Sequence, residues 1–81
     1  MERKLKQIFA DVFLVDPNSI EDNTDKDSLD SWDSLGHLNL ITSIEEEFQI
    51  IFSEEQIIEM LNFKLVCLIT KEAIEEKLLL P

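Results

Sequence analysis

Leu5, Ile8, Phe9, Val12 and Phe13 recur at i, i+3, i+4, i+7 and i+8, the spacing that lines one face of an α-helix. Arg3, Lys4, Lys6, Gln7 and Asp11 fall elsewhere on the wheel. The pattern predicts a helix over about Glu2 to Leu14, with Pro17 just past its end helping to stop it. The same period returns in Leu38, Ile41, Ile44, Glu45 and Phe48, which Leu35 extends toward the N-terminus. It predicts a second helix from Ser34 to about Phe48. Asp33 is its natural N-cap, a carboxylate that accepts from first-turn amides at the positive end of the dipole. Ile50-Ile51-Phe52 makes a short apolar link, and Ser53-Glu54-Glu55-Gln56 is a capping box. That box opens a short helix through Ile57, Ile58 and Leu61, ending near Asn62. A last helix runs from about Leu65 to Leu79, with Val66, Ile69, Ala73 and Ile74 toward the core. The expected fold is an all-α bundle of three longer helices and one short one. Leu65, Leu68 and the Leu78-Leu79-Leu80 end carry more apolar surface than one stripe needs, which fits a partner surface or self-association.

Between the first two helices, Asp16 to Asp33 is an acidic loop of eighteen residues rich in Asn, Asp, Ser and Thr. Loops of that length in a small domain are usually functional or mobile. Ile20, Leu29 and Trp32 are the expected pins that fasten it to the core.

Eighty-one residues of which 44% are hydrophobic suffice for one domain over 1–81, but not for a second domain or a deep catalytic cleft. The net charge of −11 argues against nucleic acid and anionic membrane surfaces. No Lys or Arg occurs from Asp27 to Phe63, and the only basic cluster is Arg3-Lys4-Lys6, so partners that present Lys and Arg are favoured. One cysteine, Cys67, rules out an internal disulfide framework and reads as a small, partly buried hydrophobe. With no apolar leader and no run long enough to span a membrane, the expected setting is cytoplasmic and the expected state a monomer.

Catalytic and metal patterns fail. His37 is the only histidine, three residues from Ser34 on one helix, with nothing to supply an oxyanion hole or a nucleophile elbow. It reads as a surface or boundary residue. The acidic loop misses the EF-hand pattern in both registers: from Asp25, position five is Leu29 and position twelve is Gly36, and from Asn23, position twelve is Ser34. No His/Cys cluster suits zinc. Glu45-Glu46-Glu47 reads as a solvated helix face. Gly36 costs its helix about 1 kcal/mol against Ala; it either admits something close to the backbone or is simply tolerated.

Asp-Ser-Leu occurs twice, at Asp27-Ser28-Leu29 and Asp33-Ser34-Leu35, and only the second leads an amphipathic helix. A phosphoryl group on Ser34 would sit at a helix N-terminus, where amides and dipole favour anions. The plainer reading makes Ser34 a second capping group.

This stretch resembles the acyl carrier proteins. That family carries Asp-Ser-Leu followed by thirteen residues that close on a Glu-Glu-Glu-Phe-like end, as Gly36 to Phe48 does here with Glu45-Glu46-Glu47-Phe48. The family's leucine five residues before the serine is matched by Leu29, and the likeness in helix order covers nearly the whole chain. The resemblance implies the four-helix acyl-carrier-like bundle. It also implies a 4′-phosphopantetheine arm donated from coenzyme A to Ser34 by a phosphopantetheinyl transferase. The arm's thiol then holds acyl or aminoacyl groups as thioesters, so the chemistry is the arm's and the chain is not itself an enzyme. Asp33, Leu35, Glu45 and Glu46 are the implied contacts for the transferase and for acyl-loading and acyl-processing enzymes with basic surfaces. Leu40 and Ile41 are implied to face a partner or the acyl chain.

Trp32 before Asp33, Gly36 after Leu35 and Asn39 in place of a later acid depart from carriers of primary fatty-acid synthesis. The first turns of the second helix are nearly uncharged, so steering by basic partners should be weaker there. A specialised carrier is the reading these differences favour, with the housekeeping fatty-acid or a polyketide carrier beside it. A rival of another class is a non-enzymatic acidic interaction module whose Ser34 is unmodified or phosphorylated.

Overall fold

A computed structural model describes residues 1–79. It contains α1 (Glu2–Phe13), a single 3-10 turn (Pro17–Ser19), α2 (Ser34–Phe48), the short α3 (Glu54–Glu59) and α4 (Phe63–Leu79). Among the described residues no strand forms, and the helices make the expected all-α bundle of three longer members and one short one.

Leu5, Phe9 and Phe13, spaced by four, put the centre of the α1 stripe into the core, while Ile8 and Val12 pack at its margin. The helix stops where Leu14 turns left-handed at φ 57° and returns its N–H to the Ala10 carbonyl. The following turn was not expected: Pro17 starts it, and the Asp16 carboxylate caps it by accepting from the Asn18 N–H at 2.8 Å.

The long loop is fastened by more than its apolar pins. Ile20 and Trp32 are buried and Leu29 partly so. A polar residue, Thr24, is also buried: its hydroxyl accepts from the Glu21 N–H at 2.8 Å, and its carbonyl accepts from the Phe63 N–H at 2.9 Å. The Asp22 carbonyl accepts from the Lys64 N–H at 3.0 Å, and Asn62 Oδ1 takes the Leu65 N–H at 2.8 Å. These partners satisfy the first amides of α4, so the helix begins at Phe63, two residues before the expected Leu65.

The buried face of α2 differs from the expected stripe. Gly36, His37, Leu40, Ile41 and Ile44 face inward, while Leu35 and Leu38 are exposed. Hydrophobicity alone favours the two leucines. Packing instead selects the residue with no side chain and the residue with two hydrogen-bonding nitrogens, for reasons set out below. Glu45 is half-buried, and its Oε2 accepts from the Phe52 N–H at 2.9 Å, folding back the link in which Ile50 and Phe52 are buried.

The capping box forms as read: Ser53 Oγ accepts from the Gln56 N–H at 3.1 Å, and Gln56 Oε1 accepts from the Ser53 N–H at 2.9 Å. The short helix ends earlier than expected, at Glu59, and Met60 enters the core while Ile58 and Leu61 are exposed. On α4 the buried residues are Phe63, Val66, Ile69, Thr70 and Ala73, with Leu65 and Ile74 partly covered. Leu68, Leu78 and Leu79 are exposed; Leu80 lies outside the described residues. Phe9 centres the aromatic core, edge-on to Trp32 at 5.2 Å and to Phe63 at 5.0 Å between centroids.

Candidate functional site

Ser34 is the first residue of α2, and the chain is locked on both sides of it. On the N-terminal side, Trp32 is almost wholly buried, its ring packed against Phe9 and Phe13. Its indole Nε1–H donates to His37 Nδ1 at 2.9 Å. Because an indole nitrogen can only donate, Nδ1 must accept, and the imidazole proton lies on Nε2. Nε2–H donates to the Ile57 carbonyl at 2.8 Å, tying α2 to α3. His37 is therefore not the surface or boundary residue expected from its polarity. Both ring nitrogens are committed, and neither faces the serine.

On the C-terminal side, Gly36 meets the loop backbone. A Cβ there would lie 2.1 Å from the Ser31 carbonyl oxygen and 3.1 Å from the Phe13 ring. What approaches the glycine is the chain's own loop, which decides between the two readings of that residue.

Between these anchors, Asp33, Ser34 and Leu35 are exposed. Asp33 Oδ1 accepts from the Gly36 N–H at 2.8 Å and its carbonyl accepts from the His37 N–H at 2.8 Å. The amides of Ser34 and Leu35 and the Ser34 hydroxyl have no partner in the protein among the described residues. The result is a free hydroxyl on a fixed helix end, beside two open donors at the positive end of the α2 dipole. A phosphodiester on Ser34 Oγ fits that setting, since its charged oxygens would face the free amides. Asp33→Ala removes the cap and is expected to cost about 1 kcal/mol, read as a lower urea midpoint with an unchanged slope.

The earlier Asp-Ser-Leu, Asp27-Ser28-Leu29, has no such setting. Ser28 sits in a turn with its hydroxyl 3.0 Å from Asp25 Oδ1, and its own N–H also donates to that carboxylate. No helix follows it.

The other expected contact residues are not gathered at the serine. Leu40 and Ile41 are buried in the core, at 0% and 4% exposure, which takes them off any surface a partner touches. They point inward because the buried face of α2 runs through Gly36, His37 and Ile44. Glu45 spends its carboxylate on the Phe52 amide and is only half-exposed, whereas Glu46 is exposed. Both lie at the far end of α2, about 18 Å along the axis from Ser34. Trp32 and His37, which fix the serine's turn, were legible only as a loop pin and a polar helix residue. Their signal is the position of a Trp and a His astride the serine, five residues apart.

Among the described residues no group of His, Cys, Asp and Glu is placed to hold a metal, and no helix is long and apolar enough to cross a membrane. Cys67 on α4 is half-buried, and its thiol is pushed up to about 11, first by burial and then by the carboxylates of Glu2 and Asp22.

Comparison with known proteins agrees with this geometry. A family model described as the phosphopantetheine attachment site matches residues 3–67. Among solved structures, the solution NMR structure of a holo acyl carrier protein from Geobacter metallireducens is similar. It is 30% identical, covers 95% of this chain and 88% of its own, and superposes with a TM-score of 0.84. The curated proteins contain no significant match.

Proposed function

The chain belongs to the phosphopantetheine-attachment family of acyl-carrier-type domains, and from that premise we propose that Ser34 bears the arm and that residues 1–81 form one carrier domain. The cofactor that goes with membership is a covalently attached 4′-phosphopantetheine. When attached, that group supplies a terminal thiol on which acyl or aminoacyl groups ride as thioesters.

The observation that carries the reading is the state of Ser34: exposed, first in α2, its hydroxyl uncommitted, beside two open amides. The chain's own part is positional. Asp33 caps the helix end, Gly36 lets the loop close against it, and Trp32 and His37 hold the turn so that the hydroxyl faces a transferase. The cysteine is half-buried and the histidine has no free nitrogen, which supports a carrier that leaves catalysis to its partners.

Those partners are a phosphopantetheinyl transferase and the enzymes that load and process the cargo. Between Asp33 and Glu45 the exposed residues of α2 are Ser34, Leu35, Leu38, Asn39 and Thr42, none of them charged. An uncharged surface beside the serine supports a dedicated pathway over the general fatty-acid enzymes, whose approach charge would steer. A monomer in the cytoplasm is part of the same proposal.

The test uses the difference between two thiols. Only the thiolate reacts with alkylating reagents, and a thiol pushed up to about 11 remains protonated through pH 8, losing its proton only as pH approaches that value. Before treatment, iodoacetamide at pH 8 is expected to leave Cys67 largely unmodified. After incubation with coenzyme A and a broad-specificity transferase, one rapidly alkylated thiol per chain is expected. No new reactive thiol with any of several transferases, on a demonstrably folded protein, would contradict the carrier reading and favour an unmodified interaction module.

A further inference from the structure

The seam between α2 and α3, one turn from Ser34, is bridged by a hydrogen-bonded side chain. Ser34 and His37 lie one turn apart on α2, Ser34 exposed and His37 on the buried face. The imidazole spans the seam between α2 and α3 through its 2.8 Å bond to the Ile57 carbonyl, and Trp32 holds it from behind at 2.9 Å. The two rings are nearly coplanar and meet edge to edge through the Trp32–His37 bond, 16° apart in plane with centroids at 6.1 Å. Beneath them Phe9, Leu40, Ile44, Phe63 and Val66 are fully buried. Open depressions of about 300 to 550 Å³ among the described residues lie along α1 and around the C-terminal ends of α2 and α4, away from this seam.

We propose that this Trp32–His37–Ile57 clasp keeps the cargo out of the bundle, so that the group carried is short or polar and stays in solvent at the end of the arm. The proposal rests on the carrier reading above and names the substrate class of that site. A long alkyl chain entering between α2 and α3 beside Ser34 would have to part Nε2–H from the Ile57 carbonyl. Moving the ring would also strip the indole N–H of its acceptor. Three polar groups would then face alkyl chain and core side chains instead of each other, the arrangement that makes a buried polar group costly. A seam closed by leucines would open to a chain without that loss, because one apolar contact replaces another. An aminoacyl or short acyl group gains little by entering and leaves the clasp shut. Trp32 and His37 are thus specificity-determining residues that act without touching the reacting thioester.

The test loads the wild-type protein with acetyl- or 13C-decanoyl-phosphopantetheine from the corresponding coenzyme A thioesters and a transferase, with intact mass confirming each product. The expected result is no nuclear Overhauser contact from the decanoyl methylenes to the methyls of Leu40, Ile44 or Val66. The Trp32 indole N–H resonance should fall at the same position in both forms. Contacts to those methyls, or an indole resonance that moves with chain length, would overturn the proposal. Trp32→Phe keeps an aromatic ring and removes the donor; in its folded decanoyl form the contacts absent from wild type are expected, and their continued absence would take the gating role from the clasp. If no mass is gained at all, the carrier reading itself fails.

Discussion

Gly36→Ala is expected to destabilise the protein by about 3 kcal/mol, the upper part of the range for overpacking a close contact. The sign is the reverse of what an isolated helix shows, where the same change gains about 1 kcal/mol. The difference lies in what the new methyl meets. Its carbon would stand 2.1 Å from the Ser31 carbonyl oxygen, 3.2 Å from that carbonyl's carbon and 3.1 Å from the Phe13 ring. A flexible side chain yields to such a contact, but here the obstacle is backbone. Ser31 is fixed in turn by its neighbour Trp32, buried among Phe9 and Phe13 and hydrogen-bonded to His37. Relief therefore requires α2 and the loop to move apart, which loosens the packing that sets the serine's turn. In thermal denaturation the loss corresponds to a midpoint lower by on the order of 15 °C for a domain of this size. A variant as stable as wild type, or more so, would mean that the loop does not close against α2 as described.

The second large effect is on modification rather than stability. Ser34→Ala is expected to abolish attachment of the arm while changing stability by no more than about 0.5 kcal/mol, as at an ordinary surface position. Ser34 is exposed, its hydroxyl has no partner among the described residues, and the capping bond belongs to Asp33. Alanine suits the first turn of a helix as well as serine does. Ser28→Ala should behave oppositely. It leaves attachment intact and slightly loosens the turn in which Ser28 bonds Asp25.

What the sequence disclosed, and what it withheld, divides along the range of the interactions. Both ends of α2 were legible because Asp33 precedes it and its apolar period runs out at Phe48. The start of α3 was legible because Ser53 and Gln56, three residues apart, cap it locally. The start of α4 was not, since its first amides are satisfied by Thr24 and Asp22, some forty residues earlier in the chain. The same holds for the face of α2. Periodicity weighs residues by hydrophobicity and so favours Leu35 and Leu38, whereas the interior selects Gly36 for lack of volume and His37 for its two bonds. At the candidate site, the serine and its cap were readable from local motifs. The inward placement of Leu40 and Ile41, and the use of Glu45 by the Phe52 amide, depend on how α2 is rotated against its neighbours.

The central claim, that this fold exists to present Ser34 for modification, is tested most directly by mass. Wild type, Ser28→Ala and Ser34→Ala proteins are each incubated with coenzyme A and a broad-specificity transferase, and their intact masses are taken. The structure predicts one phosphopantetheinyl increment on wild type and on Ser28→Ala, and none on a folded Ser34→Ala. An increment that survives Ser34→Ala, or one lost with Ser28→Ala, would place the arm elsewhere and contradict the account.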